Sequence, residues 1–131
     1  MIVVDACVAV ELVLQTRRGR DLSRRLLVDE EQDLHAPHLV GVECVQAIRR
    51  LRLAGSLEPA RAQQAVTDLF ALGIERHPHE LLLPRAWELR ENLTIYDAVY
   101  VALAELLEVP LLTCDSRLAR APGVAAEIEV A

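Results

Sequence analysis

Four acidic residues lie in stretches whose apolar pattern should draw them towards the interior. Asp5 sits in IVVDACVAV, Glu43 in LVGVECV, Asp97 in LTIYDAVYVALA and Asp115 in PLLTCDSRLA. Most other acids lie in polar stretches and read as ordinary surface charge. Asp and Glu are almost never fully buried unless paired, and no Arg directly flanks the first three. Each also has a purely structural reading. Asp5 and Asp115 are suited to cap the helices that follow them. Asp97 stands three residues after Thr94, at capping-box spacing, and Glu43 falls at the border of an apolar helical stripe. Glu11 and Glu105 share the apolar setting, so setting alone does not single out the four. Their joint placement adds more: two strand-end acids, one helix-start acid and one mid-helix acid can meet at one end of a parallel sheet. Carboxylates about 4 Å apart repel by roughly 4 kcal/mol per pair at an effective dielectric of 20, so such a cluster needs a cation. An all-oxygen set suits Mg²⁺ or Mn²⁺ and not Zn²⁺. The waters such an ion keeps are what phosphodiester hydrolysis requires.

The elements that must position these acids alternate between short apolar runs and helical patterns. Ile2-Val3-Val4 reads as a buried strand, followed by helices over 6–15 and 20–31 with a break around Arg18-Gly19. Leu34-His35-Ala36 is a second strand. Pro37 suits the first turn of a helix to about Ala54, with Gly55 just past its end. A helix follows from Glu58-Pro59 to Leu72, then a brief strand over 74–76, a helix over 79–92, and one capped by Thr94 that reaches Leu107. Leu111 to Cys114 is a strand, Asp115 opens a short helix to Ala121, and Ile128-Glu129-Val130 forms an edge strand. This alternation predicts an α/β fold with a mainly parallel central sheet flanked by helices. Ligands in such sheets bind beyond the carboxyl ends of the strands, where Asp5 and Asp115 fall.

Composition sets the bounds. The chain has 131 residues, no repeat and no linker, which predicts one domain over 1–131. Apolar residues make up 53%, and part of that excess is expected at a subunit or partner interface. No acid-free apolar run approaches the ~18 residues of a membrane span. Three cysteines without CxxC spacing fit a reducing, cytoplasmic setting. The net charge of −6 opposes broad electrostatic binding of nucleic acid. Two Arg clusters soften that objection: Arg17, Arg18, Arg20, Arg24 and Arg25, then Arg49, Arg50 and Arg52. They read either as solvated faces or as holds for a nucleic-acid backbone.

Four segments in order, IVVDACV, APHLVGVECVQAIRRLRLAG, LTIYDAVYVALAE and LLTCDSRLA, together resemble the PIN-domain nucleases, and within them the VapC-like toxins of toxin–antitoxin pairs. The resemblance covers essentially the whole chain. It implies a three-layer α/β/α fold and Mg²⁺- or Mn²⁺-dependent endoribonuclease activity leaving a 5′-phosphate and a 3′-hydroxyl. It also implies a homodimer and a small antitoxin that obstructs the pocket. Position by position, Asp5, Asp97 and Asp115 match the family's metal-site aspartates and Glu43 its helical glutamate. Thr113 falls where the family often has a hydroxyl, and Arg117 is a candidate for phosphate contact. One departure is Cys7, where the family commonly has Ser or Thr.

Other residues read as structural. Cys7, Cys44 and Cys114 are expected to be small buried hydrophobes. His35, His38, His77 and His79 lie near element ends beside prolines and are not read as ligands. Trp87, four residues after Leu83, is expected in the core or an interface. Two rival functions remain open: a housekeeping PIN-type RNA-processing nuclease, and a non-catalytic binding module whose acids only cap helices. A phosphatase with an aspartyl nucleophile is more remote, because Asp5 lacks a DxD spacing.

Overall fold

The computed structural model describes residues 1–28 and 32–131. In chain order the elements are β1 (Ile2–Val4), α1 (Ala6–Leu14), α2 (Arg17–Leu26), β2 (Leu34–Pro37), α3 (Leu39–Leu53) and α4 (Pro59–Ala71). Then follow β3 (Glu75–His77), α5 (Leu83–Glu88), α6 (Ile95–Leu107), β4 (Leu111–Thr113), a 3-10 turn (Leu118–Arg120) and β5 (Ile128–Val130). The five strands form one sheet in the order β3-β2-β1-β4-β5, and every pairing is parallel. Helices α1 to α4 pack on one another, α5 packs on α6, and α6 lies against β1, β2 and β4, which gives an α/β/α arrangement.

The central strands are apolar because both of their faces are covered. All three residues of β1 and of β4 are buried, as are all four of β2. The first strand of the chain sits in the middle. From it the chain winds outward through β2 to β3, then crosses back to add β4 and β5 on the other side. The strand order therefore reverses between β1 and β4, which creates a crevice at their carboxyl ends.

Several boundaries differ from the sequence expectation for identifiable reasons. The break between the first two helices falls at Gln15, which adopts a left-handed φ of 52°, and at Thr16, whose hydroxyl caps α2 by accepting from the Gly19 amide. Gly19 lies inside α2 instead of interrupting it. A Cβ there would stand 1.8 Å from the Glu11 carbonyl oxygen, so the missing side chain lets α2 cross α1 closely. The expected helix over 20–31 ends at Leu26, and its last residues, 29–31, lie outside the described residues. Pro37 ends β2, and α3 begins two residues later at Leu39. The expected helix over 79–92 condenses to Leu83–Glu88, with Pro84 in its first turn and turns on either side. The short helix after Asp115 is a single 3-10 turn. Trp87 is not in the core: it is 61% exposed, with the Arg90 guanidinium 4.5 Å from its ring centroid.

Cys44 is buried and free, and burial pushes its thiol up to about 12. Cys7 and Cys114 depart from the expectation of inert hydrophobes. Both are half-buried, and a disulfide joins them across a sequence separation of 107, with their Cα atoms 6.1 Å apart. The bond ties the first turn of α1 to the residue after β4.

Candidate active site at the carboxyl ends of the strands

Asp5 follows β1 directly. Its amide donates to the Leu112 carbonyl at 3.2 Å, so it continues the β1–β4 ladder opposite Thr113. One carboxylate oxygen caps α1 by accepting from the Val8 amide at 3.0 Å, and the other accepts from the Thr113 hydroxyl. The capping reading of Asp5 is thus correct, and capping uses only half of its carboxylate. Thr113 is fully buried, and its oxygen also accepts from the Asp115 amide at 2.9 Å. One hydroxyl therefore links the two strand-end acids.

Glu43 is half-buried on α3. Its Oε1 accepts from the Tyr100 hydroxyl at 2.6 Å, across to α6. Asp97 lies in the first turn of α6, held there by Thr94, whose hydroxyl accepts from the Asp97 amide at 3.1 Å. Asp97 and Asp115 line one hollow of about 300 Å³ together with Asn92, Thr94, Arg117 and Leu118.

The electrostatics tie the four together. Burial raises the Asp5 carboxyl above its ordinary value, against the hydrogen bonds from Thr113 and Val8, and the charges of Asp97 and Glu43 raise it further. Burial also raises Glu43, with Tyr100 opposing and Asp97 adding to the rise. Asp97 is raised by burial and then by Asp115, while Thr94 and Arg117 oppose. Asp5, Glu43 and Asp97 thus each feel at least one other of the four acids, although Asp5 and Glu43 do not line the hollow that Asp97 and Asp115 share. Asp115 goes the other way, because Arg117 holds its carboxyl below the usual range. Three carboxyls penalised for ionising, all presenting oxygen, suit a hard divalent cation in donor type, although no three of the four acids bring ligand oxygens within 4.8 Å of one another in this structure.

Glu11 and Glu105, the other acids in apolar sequence, are satisfied structurally. Glu11 accepts from the Thr16 hydroxyl. Glu105 takes both Nε and Nη2 of Arg85, at 2.6 and 3.1 Å, and the Ala125 amide at 2.8 Å.

The sequence reading missed one participant and mistook the surroundings of another. Tyr100 was not singled out, although its position three residues after Asp97 on α6 places both on one helix face. Arg117, a candidate phosphate contact, is exposed, but its guanidinium grips Asp115 through Nε at 3.0 and 3.2 Å and Nη2 at 2.8 Å. Of the Arg clusters, Arg24 pairs with Asp21, Arg25 with Glu129, and Arg20 donates to the Gln15 carbonyl at 2.7 Å. Arg49, Arg50 and Arg52 are exposed on α3.

Known proteins share this architecture. Ribonuclease VapC1 of Mycobacterium tuberculosis is 43% identical over 129 residues, covering 98% of this chain and 96% of that protein. Ribonuclease VapC12 of the same organism is 42% identical over 130 residues, covering 99% and 98%. Among solved structures, PAE2754 from Pyrobaculum aerophilum superposes with a TM-score of 0.70 at 22% identity, covering 98% of this chain and 83% of that one. VapBC2 from Rickettsia felis, bound to a DNA fragment from its promoter, gives 0.70 at 15% identity, covering 99% and 98%. The family model for the PIN domain matches residues 2–124, and with the full-length identity to these relatives it establishes that the chain belongs to the PIN domain family.

Proposed function

We propose that the chain is a Mg²⁺- or Mn²⁺-dependent endoribonuclease, the toxin of a toxin–antitoxin pair, acting as one domain over residues 1–131. The observation that carries this reading is the link through the Thr113 hydroxyl between Asp5 and Asp115 at the carboxyl ends of β1 and β4, with Asp97 lining the same hollow as Asp115. The near-full-length identity to proteins named ribonucleases supports the choice of RNA as substrate.

Asp5, Asp97 and Asp115 would hold the ion, directly or through water. A bound divalent cation supplies Lewis acidity and a water of lowered pKa. Glu43, fixed by Tyr100, orients the attacking water or accepts its proton. Thr113 positions Asp5 and Asp115 relative to each other. Arg117 lines the hollow and pairs with Asp115, and would share its guanidinium with an RNA phosphate. The products are a 5′-phosphate and a 3′-hydroxyl.

The family resemblance supports a cytoplasmic protein that forms a homodimer and is bound by a small antitoxin. Exposed apolar side chains near the site favour such contacts. Val42 and Val45 flank Glu43 on α3, at 70% and 40% exposure, and Ile95 and Tyr96 precede Asp97. Among the described residues no helix is long and apolar enough to cross a membrane.

The test is RNA cleavage by the purified, partner-free chain with Mg²⁺ or Mn²⁺, against EDTA and against Asp97→Asn. Cleavage that needs both the metal and Asp97 supports the nuclease reading. Inactivity on a broad set of RNAs, with no thermal shift on adding metal, would leave a binding module whose acids cap helices.

A further inference from the structure

The outer edge of the sheet carries a second set of side chains that the proposed cleavage does not use. His35 on β2 and Glu75 on β3 are register partners, and His77 lies two residues further along β3. Alternation along parallel strands puts all three on one face. His35 Nδ1 and His77 Nε2 are 2.9 Å apart. Glu75 reaches both, with Oε2 3.7 Å from His35 Nδ1 and Oε1 4.0 Å from His77 Nε2.

These separations suit an ion as well as they suit a hydrogen bond. Two ligands each ~2.0–2.1 Å from a tetrahedral metal stand roughly 3.3 Å apart. Opening the two nitrogens by about 0.4 Å and turning in one oxygen of the exposed Glu75, with the ligand atoms already within 4.8 Å of one another, would seat the ion. His35 supplies a rigid anchor because it is only 4% exposed, while Glu75 is exposed and free to adjust. We propose that His35, Glu75 and His77 form a second metal site, for a Zn²⁺-class ion with water in its fourth position, joining β2 to the edge strand β3. Mixed imidazole and carboxylate donors select such ions over Mg²⁺, the opposite of the all-carboxylate pocket. β3 has a single strand neighbour, so the ion would hold the edge against fraying. His35 pairs in register with Val3, two residues before Asp5, so the two sites use separate side chains on adjoining strands.

The experiment titrates the untagged chain with Zn²⁺ by calorimetry, and with Co²⁺ by its visible absorption, both in millimolar Mg²⁺. One Zn²⁺ bound per chain, a tetrahedral Co²⁺ spectrum and a raised melting temperature are expected. His77→Ala should weaken Zn²⁺ binding by more than the ~10–100-fold typical of losing an outer contact. Glu75→Gln, at an exposed position that folding tolerates, should also weaken it, whereas Asp97→Asn should leave it unchanged. Absence of Zn²⁺ binding in excess Mg²⁺ would overturn the proposal. So would Zn²⁺ binding that survives Glu75→Gln and His77→Ala but disappears with Asp97→Asn.

Discussion

Tyr100 donates its hydroxyl to Glu43 at 2.6 Å and so ties α6 to α3 across 57 residues of sequence. The tyrosine is 3% exposed, which makes this a buried, charge-assisted bond. Tyr100→Phe should lower stability by about 1–2 kcal/mol. Because Tyr100 opposes the burial that raises Glu43, its loss moves the Glu43 carboxyl higher still. The acid limb of the pH–rate profile should therefore shift to higher pH, with kcat falling ~10-fold. An unmoved acid limb would separate Glu43 from the proton transfer.

Asp5, Glu43 and Asp97 all have carboxyls raised in the folded state. Above their ordinary values the folded chain then binds more protons than the unfolded one, so metal-free stability falls as pH rises through that window. Asp115 and Glu105 are depressed and act below the ordinary carboxyl range with the opposite sign. Burial lowers His35, which favours the folded chain as pH rises through the imidazole range. Asp97→Asn removes both the titration of Asp97 and its push on Asp5 and Glu43, while Glu105 and His35 contribute equally to both chains. The metal-free variant should show the flatter decline and should lose the thermal shift on adding Mg²⁺. Parallel melting curves across pH 4–7 for the two chains would count against a coupled carboxylate cluster.

Arg117→Gln releases the Asp115 carboxyl, which should rise towards its ordinary value on NMR titration. The pair is exposed on the arginine side, so folding should be almost unaffected. If the guanidinium also meets RNA phosphate, KM rises with little change in kcat. A fall in kcat alone would assign Arg117 to positioning Asp115.

The Cys7–Cys114 bond encloses most of the chain. Cross-links of this kind typically contribute about 2–4 kcal/mol. Urea unfolding with a thiol reductant should show a loss of that size. Superimposable curves would mean that the cross-link adds nothing to the stability of the folded chain. Cys44, buried and with its thiol pushed up to about 12, should resist alkylation until the chain unfolds.

Gly19→Ala forces a Cβ against the Glu11 carbonyl oxygen. Because the obstacle is helix backbone, relief requires α1 and α2 to move apart, which should cost about 3 kcal/mol or more. Chemical denaturation measures it, and a loss below about 1 kcal/mol would show that the helix pair is compliant.

The strand-end positions of Asp5 and Asp115 were legible in the sequence because apolar surroundings and strand-to-helix handovers are local signals. Asp5 and Asp115 announce themselves that way, as do the parallel strands that carry them. What stayed hidden was relational. Tyr100 looks like any buried aromatic until α3 is placed beside α6. Cys7 and Cys114 look inert until β1 and β4 become neighbours. Arg117 looks free until its turn folds it onto Asp115. Pro37 illustrates a different failure: its ring suits a first helical turn and a strand end equally, and register with His77 decided the matter.

The central position of β1 also governs when the pocket comes into being. β1 is made before its neighbour β4, and Asp5 waits 108 residues for its Thr113 contact. Contacts of such long sequence separation form late and slowly. Fragments that stop short of β4 therefore contain Asp5, Glu43 and Asp97 but lack both the Thr113 link and Asp115.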